Sequence, residues 1–201
     1  RSEKGWVLMD QVVFSAGSFL ATVLMARQLG IAEFGAYSSI VLYLYLLLSM
    51  SVSLVTAPFQ VLQAKVQDRQ RYYGALFQMQ LLVCILFAAL TAGILLSGFA
   101  FLKPLRSHLF VIILLMTGFL MQDFFRRIFL AGGKAKQAFV ADLISVLLQT
   151  AWLIITAVSH TLTLGYGMFI IAVTYVPALI WAIRIAGPVR FSVVPVKQYI
   201  R

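Results

Sequence analysis

Charged positions divide this chain into long apolar intervals. Residues 7–26 carry a single charge, Asp10, and Arg27 followed by Gly30 closes the run, glycine being a common helix stop. A second uncharged interval separates Glu33 from Lys65, and its most compact helix is 35–58, because proline commonly follows a helix end. The third lies within 72–102, centred near Cys84, with Gly98 and Pro104 at its exit. The fourth starts near Ser107 and runs past Asp123 and the Arg126-Arg127 pair to the Gly132-Gly133 break. No formal charge occurs in the 41 residues between Asp142 and Arg184. One bilayer crossing needs ~20 apolar residues, so this stretch predicts two helices, 138–158 and 166–186, joined by a turn over 159–165. Pro177 is expected to kink the last helix, its freed carbonyl being met by neighbouring helices or by Thr174.

With 62% hydrophobic and 11% charged residues, the chain cannot cover itself with a water-facing surface. Lipid is the alternative solvent, and there only helices or closed barrels satisfy every backbone group. The runs are long enough for helices, so the expected fold is an all-α, polytopic membrane protein of about six transmembrane helices.

A net charge of +10 could suggest nucleic acid, but the sixteen Lys and Arg residues sit mainly at the ends of the apolar runs, where they orient and anchor membrane helices. No nucleic-acid partner is therefore expected. If six spans alternate and both termini lie on one side, Arg1, Lys4, Lys65, Arg69, Arg71, Arg126, Arg127, Lys134, Lys136, Arg184, Arg190, Lys197 and Arg201 share that side. Arg27, Lys103 and Arg106 face the other. Thirteen against three places both termini in the cytoplasm and the protein in the inner (plasma) membrane. Residues 1–186 form the six-helix unit, and 187–201, with two prolines and three basic residues, reads as a basic cytoplasmic linker cut short. A first residue of arginine rather than methionine suggests a piece of a longer protein.

No catalytic constellation is visible, so the chain is read as a non-enzyme without cofactor or metal. Cys84 is alone in an apolar run, and His108 and His160 are far apart at helix ends. Gly132-Gly133-Lys134 lacks the strand and spacing of a phosphate loop. Functional candidates are the ionisable residues at membrane depth: Asp10, Arg27, Asp123, Arg126, Arg127 and Asp142. Each costs ~2.5–3.5 kcal/mol at a helix centre on insertion scales, and so calls for a partner or a wet cavity. All lie near helix ends, where snorkelling relieves that cost, and Asp123 and Arg127 have the i,i+4 spacing of an intrahelical pair. Arg27 stands against the orientation rule. Its forked guanidinium could hold a phosphate or pyrophosphate. Mid-helix Ser15, Ser18, Gln78, Gln80, Gln149 and Thr150 are expected to face protein or water. Tyr43, Tyr45, Phe124 and Phe125 read as packing or interface aromatics, a type that also stacks on sugar rings.

The stretch Ala26-Arg27-Gln-Leu-Gly30-Ile-Ala-Glu33-Phe34-Gly35-Ala-Tyr37 resembles the first helix end and first outer turn of bacterial polysaccharide flippases. These are the O-antigen and exopolysaccharide exporters of the multidrug/oligosaccharidyl-lipid/polysaccharide superfamily. Asp123-Phe-Phe-Arg126-Arg127-Ile-Phe-Leu-Ala-Gly-Gly-Lys134, followed by Ala138 and Asp142, is similar to the family's helix-four end and helix-five start. The resemblance implies one lobe of a two-lobed transporter whose C-terminal lobe is missing from this sequence. It further implies transfer of an undecaprenyl-pyrophosphate-linked oligosaccharide from the inner to the outer leaflet for lipopolysaccharide or exopolysaccharide synthesis. Arg27 would then bind substrate, and Asp10, Asp123, Arg126, Arg127 and Asp142 would serve gating or ion coupling. Competing readings are a drug exporter of the same superfamily, a membrane-embedded glycan enzyme and a non-transporting membrane subunit. An acidic cavity would favour the exporter, and convergent acid, base or metal groups in outer loops the enzyme.

Overall fold

A computed structural model describes residues 2–62 and 69–186, and among them every regular element is helical. The long helices are α1 (Ser2–Gln28), α2 (Ile31–Ser51), α4 (Arg69–Leu96), α6 (Leu109–Ala131), α7 (Ala135–Val158) and α8 (Leu164–Ala186). Between α2 and α4, a π-helical stretch, Val52–Thr56, leads into the short α3, Ala57–Leu62. Between α4 and α6 the chain forms a 3₁₀ turn, Ala100–Leu102, and one helical turn, α5, Lys103–Arg106. Six helical stretches of 22–26 residues are long and apolar enough to cross a bilayer, so this is an all-α, multi-pass membrane protein. The Lys65 and Asp68 positions, the side chains of Arg69 and Arg71, and the basic tail 187–201 lie outside the described residues.

The second helix departs from its expected bounds at both ends. It begins at Ile31 because Gly30, in extended conformation, acts as N-cap and its carbonyl accepts the Phe34 N–H. It does not stop at Pro58. That residue has no N–H to give the carbonyl of Leu54, and the backbone answers by widening one turn: the Ala57 N–H bonds Val52, five residues back. The helix thus passes through the proline. The last helix is also continuous through Pro177. Thr174 donates its hydroxyl to the carbonyl of Ile171 at 2.8 Å, and not to the Val173 carbonyl, for which Pro177 has no N–H.

Packing is uneven. α1 lies along α7, α6 along α8, and α7 along α8, making a tight four-helix group, while α2 and α4 attach to it more sparingly. Small residues set the closest approaches. A Cβ on Gly17 would fall 2.6 Å from a Val146 methyl, and one on Gly118 would fall 2.9 Å from the Tyr175 ring. Lipid-level helices gain little from apolar burial against each other, so such close backbone approach is the means by which they hold together. Outward-facing Leu42, Leu82, Ile85, Leu86 and Ile155 are exposed, as a hydrocarbon surround requires.

Candidate functional site

The site begins with a turn. Helix α6 ends in a two-bond glycine cap: the Lys134 N–H bonds Phe129, the Gly133 N–H bonds Leu130, and Gly133 takes φ 68°, a conformation that suits glycine. This tight reversal makes α6 and α7 a hairpin about Lys134. Residues equally far from the turn then lie level, and Arg126 and Asp142 are each eight positions from it. Helix α1 runs beside α7 in the same direction, with the Trp6 ring packed at a tilt against Phe139 at 5.3 Å and Lys136 over the Trp6 ring, which brings Asp10 to the same height.

The result is a charged cluster on three helices. The Arg126 Nε–H donates to Asp10 Oδ2 at 2.8 Å, and Asp142 Oδ2 stands 3.2 Å from the same nitrogen. Nε carries one hydrogen, so the Asp142 contact is Coulombic rather than a second hydrogen bond. Asp142 is held instead by the Gln122 amide, which donates to Oδ1 at 2.7 Å. The Arg126 guanidinium also lies 4.6 Å over the Phe14 ring. Asp10 and Asp142 are 0% and 1% exposed, and Arg126 15%, so this is a buried cluster rather than a set of snorkelling side chains. At ~1.5 Å per residue, Asp10 lies about 12 Å from the start of α1. With all three groups ionised the cluster carries one net negative charge. Asp10 Oδ1 and Asp142 Oδ2 are buried acceptors without a hydrogen-bonding partner among the described residues.

Above the cluster, toward the membrane centre, is a partly open cavity of about 80 Å³ lined by residues of α1, α2, α6, α7 and α8. Asp142 and Gln122 form part of its wall, joined by Ser18, Ser145, Gln149 and three tyrosines, Tyr37, Tyr45 and Tyr175. In this conformation the cavity has room for several water molecules. Its lining is aromatic faces interleaved with amides and hydroxyls, a surface suited to a polar, ring-containing ligand once the helices move apart.

The other sequence candidates lie elsewhere. Asp123 and Arg127 form their own i,i+4 pair on α6. Arg27 is exposed on the last turn of α1 and is not among the described residues lining the cavity. Gln80 is buried and accepts from Ser51 at 3.0 Å, tying α4 to the end of α2. Ser15 is exposed. Tyr43 bonds Thr91 at 2.9 Å, Tyr45 packs edge-on against Phe119, and Phe124 and Phe125 are buried among Phe77 and Phe129. His108 lies against Gly165 at the head of α8, far from any carboxylate cluster described. Residues that sequence reasoning missed are Gln122, Ser145, Tyr37 and Tyr175. Their signal was present: Gln122 and Arg126 are four apart on α6, and Asp142, Ser145 and Gln149 recur at three and four on α7, the spacing of a polar helix stripe.

No family model matches the chain, and neither a curated protein nor a solved structure shows significant similarity to it.

Proposed function

We propose that this protein is the N-terminal lobe of a flippase that moves an undecaprenyl-pyrophosphate-linked oligosaccharide from the inner to the outer leaflet of the plasma membrane. The observation that carries the reading is an intramembrane cavity walled by tyrosines, glutamines and serines and bounded by a buried Asp10–Arg126–Asp142 cluster. Tyrosine faces suit sugar rings, and amides and hydroxyls suit sugar hydroxyls. A drug exporter would prefer a cavity wall of carboxylates, whereas here the described wall offers one, Asp142, already engaged by Gln122 and Arg126.

In this reading both termini are cytoplasmic, as the basic clusters at the α1 and α7 starts favour. Substrate enters when the lobe separates from a second lobe of the same protein, and the cation–carboxylate cluster is the cytoplasmic gate that opens and closes beneath it. Arg27, at the opposite end of α1, receives the pyrophosphate. Asp123 and Arg127 brace α6 while it moves.

The test is deletion of the gene in its own host, followed by extraction of polyprenyl-linked glycans. The reading expects surface polysaccharide to fall and the lipid-linked precursor to accumulate on the cytoplasmic leaflet. Tyr45→Ala and Tyr175→Ala should reproduce the defect at normal membrane abundance. Unchanged surface glycan with no precursor accumulation would remove the flippase reading.

A further inference from the structure

A second cleft lies away from the charged cluster, between α2 and α4. It measures about 190 Å³, larger than the ~150 Å³ apolar cavity that takes up benzene in a globular core. Ile40 and Tyr43 form one wall and Ile94 and Leu95 the other, while Leu102 and Leu105 lie at its rim. The Tyr43–Thr91 hydroxyl pair, at 2.9 Å, makes a bonded floor, so the cleft ends on a satisfied polar contact rather than on loose packing. Two of its lining residues, Ser39 and Ile94, are themselves exposed, so the cleft opens on the outward, hydrocarbon-facing side of the helices.

The rim is cationic. Arg106 donates its Nε–H to the carbonyl of Leu95, a wall residue, at 2.8 Å, which pins the guanidinium at the cleft and leaves its terminal nitrogens as donors. Lys103 is exposed and stands between the rim residues Leu102 and Leu105 in the chain. Neither cation has a carboxylate partner among the described residues. By the charge count these are two of only three basic residues on this side of the membrane, so their placing is opposed to the general orientation of the chain.

We propose that this cleft binds an anionic phospholipid, with one hydrocarbon chain between α2 and α4 and the phosphate between Arg106 and Lys103. A chain gains little by leaving one apolar medium for another, so the headgroup charge decides occupancy. A partly engaged guanidinium and a nearby ammonium favour a phosphate whose charge is not already cancelled by a choline. The site is separate from the polar cavity and stands whether or not the protein transports glycans.

Purified full-length chain would be equilibrated in micelles containing equal phosphatidylglycerol and phosphatidylcholine, and retained lipid counted by native mass spectrometry. The expected result is a several-fold preference for phosphatidylglycerol. Lys103→Gln, which leaves the Arg106–Leu95 bond intact, should roughly halve that preference, and Lys103→Gln with Arg106→Gln should abolish it, whereas Arg106→Lys should keep most of it. Ile94→Phe, which fills the cleft without touching the charges, should reduce bound phosphatidylglycerol. Equal retention of both lipids by the native chain would overturn the proposal. So would a preference unchanged by Lys103→Gln together with retention unchanged by Ile94→Phe, and these two single variants decide the matter if the double variant fails to fold.

Discussion

Replacing Arg126 by glutamine should be the most destabilising single change in the buried charged cluster. The arginine is the only cation between Asp10 and Asp142 among the described residues, and both carboxylates are essentially without solvent contact. Removing one partner of a buried ion pair costs about 3–5 kcal/mol, because an uncompensated charge is left behind, and here two carboxylates would be left. Asp10→Asn acts differently. Asparagine still offers an oxygen to the Arg126 Nε–H, and Arg126 keeps Asp142 as counter-charge, so the loss is closer to the ~1–2 kcal/mol by which a charged hydrogen bond exceeds a neutral one. In a background carrying Asp10→Asn and Asp142→Asn, the same Arg126→Gln change should cost no more than about 1 kcal/mol, since no buried carboxylate remains to be orphaned and the arginine itself has lost its counter-charges. The coupling between the charge sites is then at least ~2 kcal/mol. Reversible unfolding in mixed micelles measures these differences, read by tryptophan fluorescence, with Trp6 on Phe139 and Trp181 on Phe129 as reporters. Equal costs of Arg126→Gln in the two backgrounds would refute the argument, for the arginine would then be stabilising through its aliphatic stem and the Phe14 contact alone.

Four further outcomes are expected. Reporter fusions after Arg71, Lys136 and Arg201 should signal cytoplasm and those near Lys103 and Thr161 the opposite side; a cytoplasmic signal at Thr161 contradicts six spans with both ends inside. Gly17→Ala places a methyl 2.6 Å from Val146 and should destabilise by ~1–3 kcal/mol in the same unfolding assay, with recovery on adding Val146→Ala; no loss would mean that α1 and α7 do not approach as described. Arg127→Ala should cost no more than ~1 kcal/mol, because its pair with Asp123 is local and Arg127 is about a third exposed; a cost matching Arg126→Gln would show that the two arginines share one network. Arg27→Ala should leave membrane abundance unchanged and lower surface-glycan export, with Arg27→Lys intermediate; full export by the alanine variant removes Arg27 from substrate binding.

The spans were legible because each is a long apolar run with charges only near its ends, and the turns at Gly30, at Gly132-Gly133 and over 159–163 fall where glycines and polar residues interrupt them. Their exact limits were not, because proline does not always end a helix. Pro58 is accommodated by a widened turn, and Pro104 lies within the single turn of α5. The candidate acidic and basic positions were visible as charges at depth, and the Asp123–Arg127 pair followed from its spacing alone. The joining of Asp10 to Arg126 was not visible, since it depends on α1 crossing back to lie along α7, a contact between distant parts of the chain that no local period encodes. Half of it was within reach. A hairpin centred on Lys134 requires Arg126 and Asp142 to be level, and the polar stripe on α7 points the same way.

The salt link between Asp10 and Arg126 joins residues 116 positions apart, and that separation is also an interval of time. At a synthesis rate of ~5–20 residues per second, roughly 6–23 s pass between the appearance of the aspartate and that of its arginine. During those seconds α1 is already committed to the bilayer with a carboxylate about 12 Å along its length and no counter-ion to meet it. Lys4, in its first turn, is a basic residue that can hold this helix end at the interface while the N-terminal turns remain shallow. Arrival of the α6–α7 hairpin then supplies the counter-charge that Asp10 lacks, so that α1, made before α6 and α7, is locked only after them.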